Sequence, residues 1–348
     1  MKITKQFHGH FNNLNDVSKN LKNILGTLLV ATLILTNVSC SKSDGKDDDC
    51  DGICDLATAE DFNNIRDLAL EGITQNFQFD AAAGNITLTS EKGVDIYINT
   101  ACLNLNGNAV TGTINLEFVE LFDKGTMLTT NKPTMGILPS GDKALLISGG
   151  EFFMNATQNG VALQTSCAIQ LGIPANLTGG VDNDMILWNG IIDEDGNLAW
   201  DENKRAGANG QGGVFAEGNQ YYTFLSEFGW SNVDRFYNDP RPKTTILAAV
   251  PEGYNNTNCS IFLSYDGEDA GLANLDTYDA QTGLFSEHYG QIPIGLECHV
   301  IFVSEENGNW KYAIKAVTIV ENGVITFLDE EMDVVTEAQL TTIINGLP

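Results

Sequence analysis

The sequence predicts an all-β protein: two antiparallel Ig-like β-sandwich domains, with one short helix before the first and another at the C terminus. Three observations carry this. Apolar residues alternate with polar ones over short runs from Asn76 onward, Asn-Gly and Asp-Gly pairs separate the runs, and helix-start signals stand at Thr58 and Thr336.

The chain opens differently. Lys2, Lys5, Lys19 and Lys22 precede an apolar run from Ile24 to Thr36, which is too short for a spanning helix and suited to a secretory signal. Residues 1–39 are therefore expected to be a signal peptide. Asn37, Val38, Ser39 and Cys40 resemble a bacterial lipobox, with Asn37 where leucine is usual. The resemblance implies acylation of Cys40 by several chains, since one chain gives only marginal anchoring. The bland alternative is an ordinary signal peptide followed by a chance cysteine.

Residues 40–57 read as an acidic tether too polar to fold. Lys46, Asp47 and Asp48 resemble the export signal that sends Bacteroidota lipoproteins to the outer face of the outer membrane. Asp47, Asp49, Asp51 and Asp55, with Gly52 for a sharp turn, present oxygens as a calcium loop does and resemble one thrombospondin type 3 unit. Thr58 at the twelfth position argues against an EF-hand. Calcium is the one cofactor these residues suggest; the alternative is a solvated tether.

Without residues 1–39 the chain keeps 14 lysines and arginines against 45 acids, a formal charge of −31. Such a surface repels nucleic acid and anionic membranes. Six cysteines remain besides Cys40: Cys50, Cys54, Cys102, Cys167, Cys259 and Cys298. An even number in an exported chain suggests disulfides. If each domain staples itself, Cys102 joins Cys167 and Cys259 joins Cys298; otherwise they are buried free thiols.

Residues 58–75 should form a helix, capped by Thr58 and Asp61, with Phe62, Ile65, Ala69 and Ile73 on one face. Residues 76–200 should form the first sandwich. Val94, Ile96 and Ile98 alternate with polar neighbours, as do Ile114, Leu116 and Phe118, then Phe152, Met154 and Ala156, then Ile169, Leu171 and Ile173. Asn106-Gly107, Asn159-Gly160 and Asp195-Gly196 supply turns. Gly93 to Asn99, Gly107 to Phe118, Asn131 to Thr134 and Gly149 to Gly160 are similar to a β-domain recurrent in uncharacterised Bacteroidota surface lipoproteins, over roughly residues 85–200. The departure is Ala101-Cys102-Leu103, where that domain has alanine followed by phenylalanine or leucine. The resemblance implies an extracellular β-sandwich module and no chemistry.

Residues 201–220 read as a Gly-rich linker or loop. Its glycines lack the strand, helix and Lys-Ser or Lys-Thr pair of a phosphate loop. Residues 221–348 should form the second sandwich, with Tyr222 and Phe224, Ile246 and Ala248, Ile261 and Leu263, Val300 and Phe302, and Trp310, Tyr312 and Ile314 alternating between Asp266-Gly267, Asn307-Gly308 and Asn322-Gly323. Phe228 to Phe236 resembles a segment following the first module in the same lipoproteins. Thr336 and Gln339 cap a last helix.

For chemistry, Cys298 and His299 are strand neighbours facing opposite ways, which favours a structural histidine over a metal ligand. No H-E-x-x-H, G-x-S-x-G or C-x-x-C motif pair stands in the sequence. Trp230, Arg235, Tyr237 and Arg241, with Phe236 and Lys243, gather three cations beside three aromatics. They make either a recognition patch for a glycan or partner, or a core pair, Trp230 and Phe236, with Arg235 paired to Asp234 or Asp239 to seat a loop. The expectation is a non-enzymatic accessory or scaffold subunit contacting an outer-membrane β-barrel complex, with a glycan-binding lipoprotein as the alternative and a secreted hydrolase behind both.

Overall fold

The structure, a computed structural model, describes residues 56–192, 197–204 and 213–348. Its first element is a helix, α1, Ala59–Ile73. The Thr58 hydroxyl accepts from the Asp61 backbone N–H and the Asp61 carboxylate accepts from the Thr58 backbone, so two orphan donors of the first turn are satisfied reciprocally. Phe62, Ile65 and Ala69 are buried, and Phe62 meets Trp310 edge to face at 6.3 Å. A second helix, α2, Lys124–Thr129, is capped by Asp123. The last helix, α3, Glu337–Asn345, repeats the capping box with Thr336 and Gln339. Asn345 holds α2 from both sides, accepting from the Gly125 N–H at 2.7 Å and donating to Asp123 at 2.9 Å. Gly125 has no room for a side chain, because a Cβ there would meet the Thr341 carbonyl at 2.6 Å.

Everything else is mostly strand. The largest sheet runs in the order Gln75–Asp80, Thr113–Leu121, Lys143–Gln158, Gly229–Phe236, Ile186–Ile192, Leu198–Glu202 and Met135–Ile137, with Val161–Ala162 beside the third. Its last strand pairs back onto Lys143–Gln158, Met135 facing Leu145, so five strands close a ring. Leu146, Leu198 and two fully buried tryptophans, Trp188 and Trp200, fill it. Both indole N–H groups are satisfied, Trp188 donating to the Asp234 carbonyl at 2.9 Å and Trp200 to the Pro133 carbonyl at 3.0 Å.

A five-stranded sheet, Val214–Glu217, Gln220–Leu225, Ile169–Pro174, Asp95–Asn99 and Asn85–Thr89, shares one core with the largest sheet. Val94, Ile96 and Ile98 meet Ile114, Leu116, Phe118, Phe152 and Met154 there. A three-stranded sheet, Gln164–Thr165, Leu103–Leu105 and Asn108–Ala109, lies beside Cys102 and Cys167, which form a disulfide with Cα atoms 5.7 Å apart. A second core joins the four-stranded sheet Thr277–Asp279, Leu284–Pro293, Lys243–Ala249 and Val324–Thr326 to the five-stranded sheet Ala273–Asn274, Cys259–Tyr265, Glu297–Glu306, Asn309–Thr318 and Asp333–Val335.

A third core binds these pairs together. Val119 and Leu121 from the largest sheet, Phe262, Ile301, Val303 and Trp310 from the far sheet, and α1, α2 and α3 all contribute to it. The inner sheets are therefore covered on both faces. For the far sheet the sequence carries the signal, since Val300-Ile301-Phe302-Val303 is an unbroken apolar run rather than an alternation.

Four sequence expectations are corrected. The boundary at 201–220 does not divide the sheets: Gln220–Leu225 pairs with Ile169–Pro174, and Gly229–Phe236 lies between Lys143–Gln158 and Ile186–Ile192. Cys259 and Cys298 are buried free thiols, not a disulfide. They sit at opposite ends of one ladder, Cys259 facing Ser304 and Cys298 facing Tyr265, which separates them by about 20 Å at the usual rise per residue. Tyr222 and Phe224 face outward, while Tyr221, Thr223 and Leu225 face the core. Asn307-Gly308 closes a hairpin, but Asn322-Gly323 leads into a strand that runs parallel to Lys243–Ala249 in the other sheet.

Candidate functional site

The outward turn of Tyr222 and Phe224 creates the surface with most chemical character. The segment Tyr221-Tyr222-Thr223-Phe224-Leu225 is apolar in both phases of its period, so alternation alone cannot choose a face. Hydrogen bonding explains the choice. The Tyr221 hydroxyl, inside the fold, donates to the Gly180 carbonyl at 3.0 Å and accepts from the Asp182 N–H at 2.6 Å, and the Thr223 hydroxyl donates to the Gly213 carbonyl at 2.9 Å. With both inward polar groups satisfied, the two remaining aromatics are left on the outer face.

There they join a platform across the five-stranded sheet. In one row Phe215 stands opposite Tyr222, Tyr222 opposite Gly172, and Gly172 opposite Asp95. In the next, Phe224 stands opposite Gln170, and Gln170 opposite Tyr97. Phe224 is 47% exposed and Phe215 39%, their rings meeting edge to face at 6.2 Å. Gly172 leaves a gap between the tyrosines, since a Cβ there would lie 3.3 Å from the Tyr222 ring and 3.6 Å from the Tyr97 ring. Polar groups flank the rings. Asp95 accepts from the Thr89 hydroxyl at 2.8 Å, and the Tyr222 hydroxyl donates to Gln220 at 2.6 Å. Burial, with the Asp95 charge beside it, pushes the Tyr97 hydroxyl above its ordinary pKa, so it stays protonated and able to donate at neutral pH. Ring faces interleaved with carboxylate and amide groups can stack on a sugar ring and bond its hydroxyls.

The residues singled out in the sequence fall elsewhere and do not form one patch. Trp230 is half-buried against Phe153 at 5.2 Å and Trp200 at 6.4 Å. Arg235, Phe236, Tyr237 and Lys243 share a shallow depression of ≈ 460 Å³. Arg235 Nε donates to Asp182 at 2.6 Å, a partner not foreseen, and Phe236 packs on Trp188 at 5.1 Å. Tyr237 packs on Tyr265 at 5.2 Å and donates to Asp239 at 3.3 Å. Arg241 bonds Asp239 through its own backbone and its guanidinium, and the Gly295 carbonyl at 2.7 Å. Hydrogen bonds from Arg241 hold the Asp239 carboxyl down at about 2. The two arginines thus fasten loops.

His299 Nδ1 stands 2.8 Å from an Asp266 carboxylate oxygen, while Cys298 is buried in the second core, so the strand does place them on opposite faces. Cys40, Cys50, Cys54, Asp47, Asp49, Asp51 and Asp55 lie outside the described residues. No group of three or more metal-ligating side chains gathers among the described residues, and none of their helices is long and apolar enough to cross a membrane. No family model matches the chain, and no curated protein matches it.

Proposed function

We propose that the chain is a lipid-anchored protein of the outer-membrane surface, tethered through Cys40, that binds glycan on the outer face of its five-stranded sheet and catalyses no reaction. On this reading the two sheet pairs are Ig-like sandwiches used as a rigid support. The observation that carries it is the aromatic platform of Tyr97, Phe215, Tyr222 and Phe224, held apart by Gly172 and flanked by Asp95 and Gln170. Aromatics on one sheet face, exposed or half-buried, lose little side-chain entropy on binding and present flat faces to sugar rings. A saccharide array probed with the wild-type chain and with Tyr222→Ala and Phe224→Ala tests it. Specific binding that both replacements abolish is expected; an empty array, or binding that survives both, overturns it.

A second reading, an accessory subunit of an outer-membrane β-barrel complex, has its own observation. Val320, Val324, Leu328 and Val334 are exposed within a stretch of chain that includes edge strands of both sheets of the second core. Exposed apolar side chains so close in sequence suit a protein contact. Purifying the chain from mildly solubilised outer membranes and weighing what accompanies it tests this: a stoichiometric barrel supports it, and recovery of the chain alone refutes it.

A further inference from the structure

A separate cleft of ≈ 530 Å³ opens between α1, the segment after α2, and the sheets of the second core. It shares no residue with the aromatic platform. Two cations line it from distant parts of the chain, Arg66 and Lys132, in a protein that carries a formal charge of −28. Neither forms a salt bridge with a described carboxylate. Arg66 lies 3.8 Å above the Phe62 ring and donates to the Ser260 hydroxyl at 2.6 Å, while its Nε is buried without an acceptor. Lys132 donates to the Thr130 carbonyl at 3.0 Å and stands 5.4 Å from the Trp230 ring. Burial pulls Arg66 down to about 10, so it stays charged at neutral pH and its charge is poorly solvated.

Two asparagines that line the cleft also carry buried acceptors without a donor. Asn274, only 6% exposed, has an Oδ1 with no donor, and so has Asn131, whose backbone is left-handed at φ 54°. Of the lining carboxylates, Asp276 is held by Lys143 at 2.7 Å and Asp67 is exposed. The cleft thus asks for an oxyanion and, close to it, hydroxyl donors. Acetate supplies no donor and inorganic phosphate one or two on the oxyanion itself, whereas a sugar acid supplies a carboxylate and several hydroxyls spread over one ring. The volume is in the range that holds such a ligand.

We propose that this cleft binds the ring of a uronic acid, with Arg66 and Lys132 on the carboxylate and Asn131 and Asn274 accepting from ring hydroxyls. The ring is either a free monosaccharide or the end of an acidic polysaccharide. Calorimetric titration of the full chain with galacturonate, its neutral twin galactose, and trigalacturonate tests the proposal. Galacturonate should bind at least about tenfold more tightly than galactose, a difference of roughly 1.4 kcal/mol. Lys132→Gln should weaken it by a similar factor; Arg66→Gln should do the same, but Arg66 also packs on Phe62, so Lys132→Gln is the decisive variant. Tighter binding of trigalacturonate than galacturonate assigns the polysaccharide end, and equal binding the monosaccharide. Repeating the titrations with Tyr222→Ala removes any contribution of the platform, and the preference for galacturonate over galactose should persist there, which keeps the test independent of the platform. Galactose binding as well as galacturonate, galacturonate binding unaffected by Lys132→Gln, or no binding at millimolar concentration overturns the proposal.

Discussion

Glu151 stands directly opposite Asn232 in the ladder of the largest sheet, yet Asn232 gives its amide N–H to Asp234, and both Glu151 carboxylate oxygens are left without a hydrogen-bond partner. Glu151 and Asp234 are fully buried, and one Asp234 oxygen is orphaned too. Lys132 offers Glu151 only a charge at a distance. Burial first, and then the charge of Asp234, raises the Glu151 carboxyl well above its usual range; burial alone raises Asp234.

The sign of the pH dependence follows. A carboxyl whose native pKa lies above its unfolded value is bound to a proton in the fold while already ionised in the unfolded chain, so its stabilising contribution is complete in acid and lost as pH rises. From about pH 4.5 up to the native value, each such group lowers stability by about 1.4 kcal/mol per pH unit. Glu151→Gln cannot ionise and should remove one proton's share of that slope. Urea unfolding of both proteins between pH 4.5 and 8 measures it; identical slopes would mean that Glu151 is ionised in the fold.

The cysteines predict two different behaviours. The Cys102–Cys167 bridge has a sequence separation of 65, for which chain entropy gives about 4 kcal/mol, so Cys102→Ser with Cys167→Ser should lose roughly that much by denaturant titration. Burial raises the thiols of Cys259 and Cys298, the latter to about 12, so neither should react in the native fold. Peptide mapping after iodoacetamide treatment should find both unmodified before denaturation and modified after it. Native alkylation of either would show that its end of the ladder opens.

Some of this was legible in the sequence and some could not be. The capping boxes at Thr58 and Thr336 and the alternations at Val94, Ile114, Phe152 and Ile169 mark elements that local physics determines, and the structure has them. The outward phase of Tyr222 depended on hydrogen bonds that the Tyr221 hydroxyl gives to the Gly180 carbonyl and receives from the Asp182 N–H, more than 35 residues away. Arg66, Lys132 and Asn274 come together only because three elements distant in sequence meet at one cleft. Unbroken apolar runs such as Val300 to Val303 did hint at coverage on both faces, but period-two reading sees only one.

Two glycines should respond in opposite directions to alanine. Gly190 faces the ring of strands around the tryptophans, where a Cβ would collide with Trp230 and come within 2.9 Å of Leu198 and 3.2 Å of Trp200. Overpacking of this kind costs about 1–3 kcal/mol. Gly72, near the end of α1, has open space around it, so Gly72→Ala should gain about 0.5–1 kcal/mol from helix propensity. Thermal unfolding should show Gly190→Ala falling and Gly72→Ala rising relative to the wild type. A neutral Gly190→Ala would mean that the strand ring is loosely packed.

The last prediction concerns whether the C-terminal half stands alone. Residues 221–348 contain the strand Gly229–Phe236, whose ladder partners all lie before residue 193. They also contain Phe262, Ile301, Val303 and Trp310, whose cover includes α1, α2 and the largest sheet's Val119 and Leu121. Exposing such side chains forfeits about 1.5–3 kcal/mol each, and four of them together approach the entire stability of an ordinary domain. A fragment of residues 221–348 should therefore aggregate or lack a cooperative transition, whereas residues 56–348 should melt as one unit. Differential scanning calorimetry of both decides it. A soluble fragment with a sharp transition would mean that the shared core adds little, and that the expected boundary near residue 220 marks an energetic division even though strands cross it.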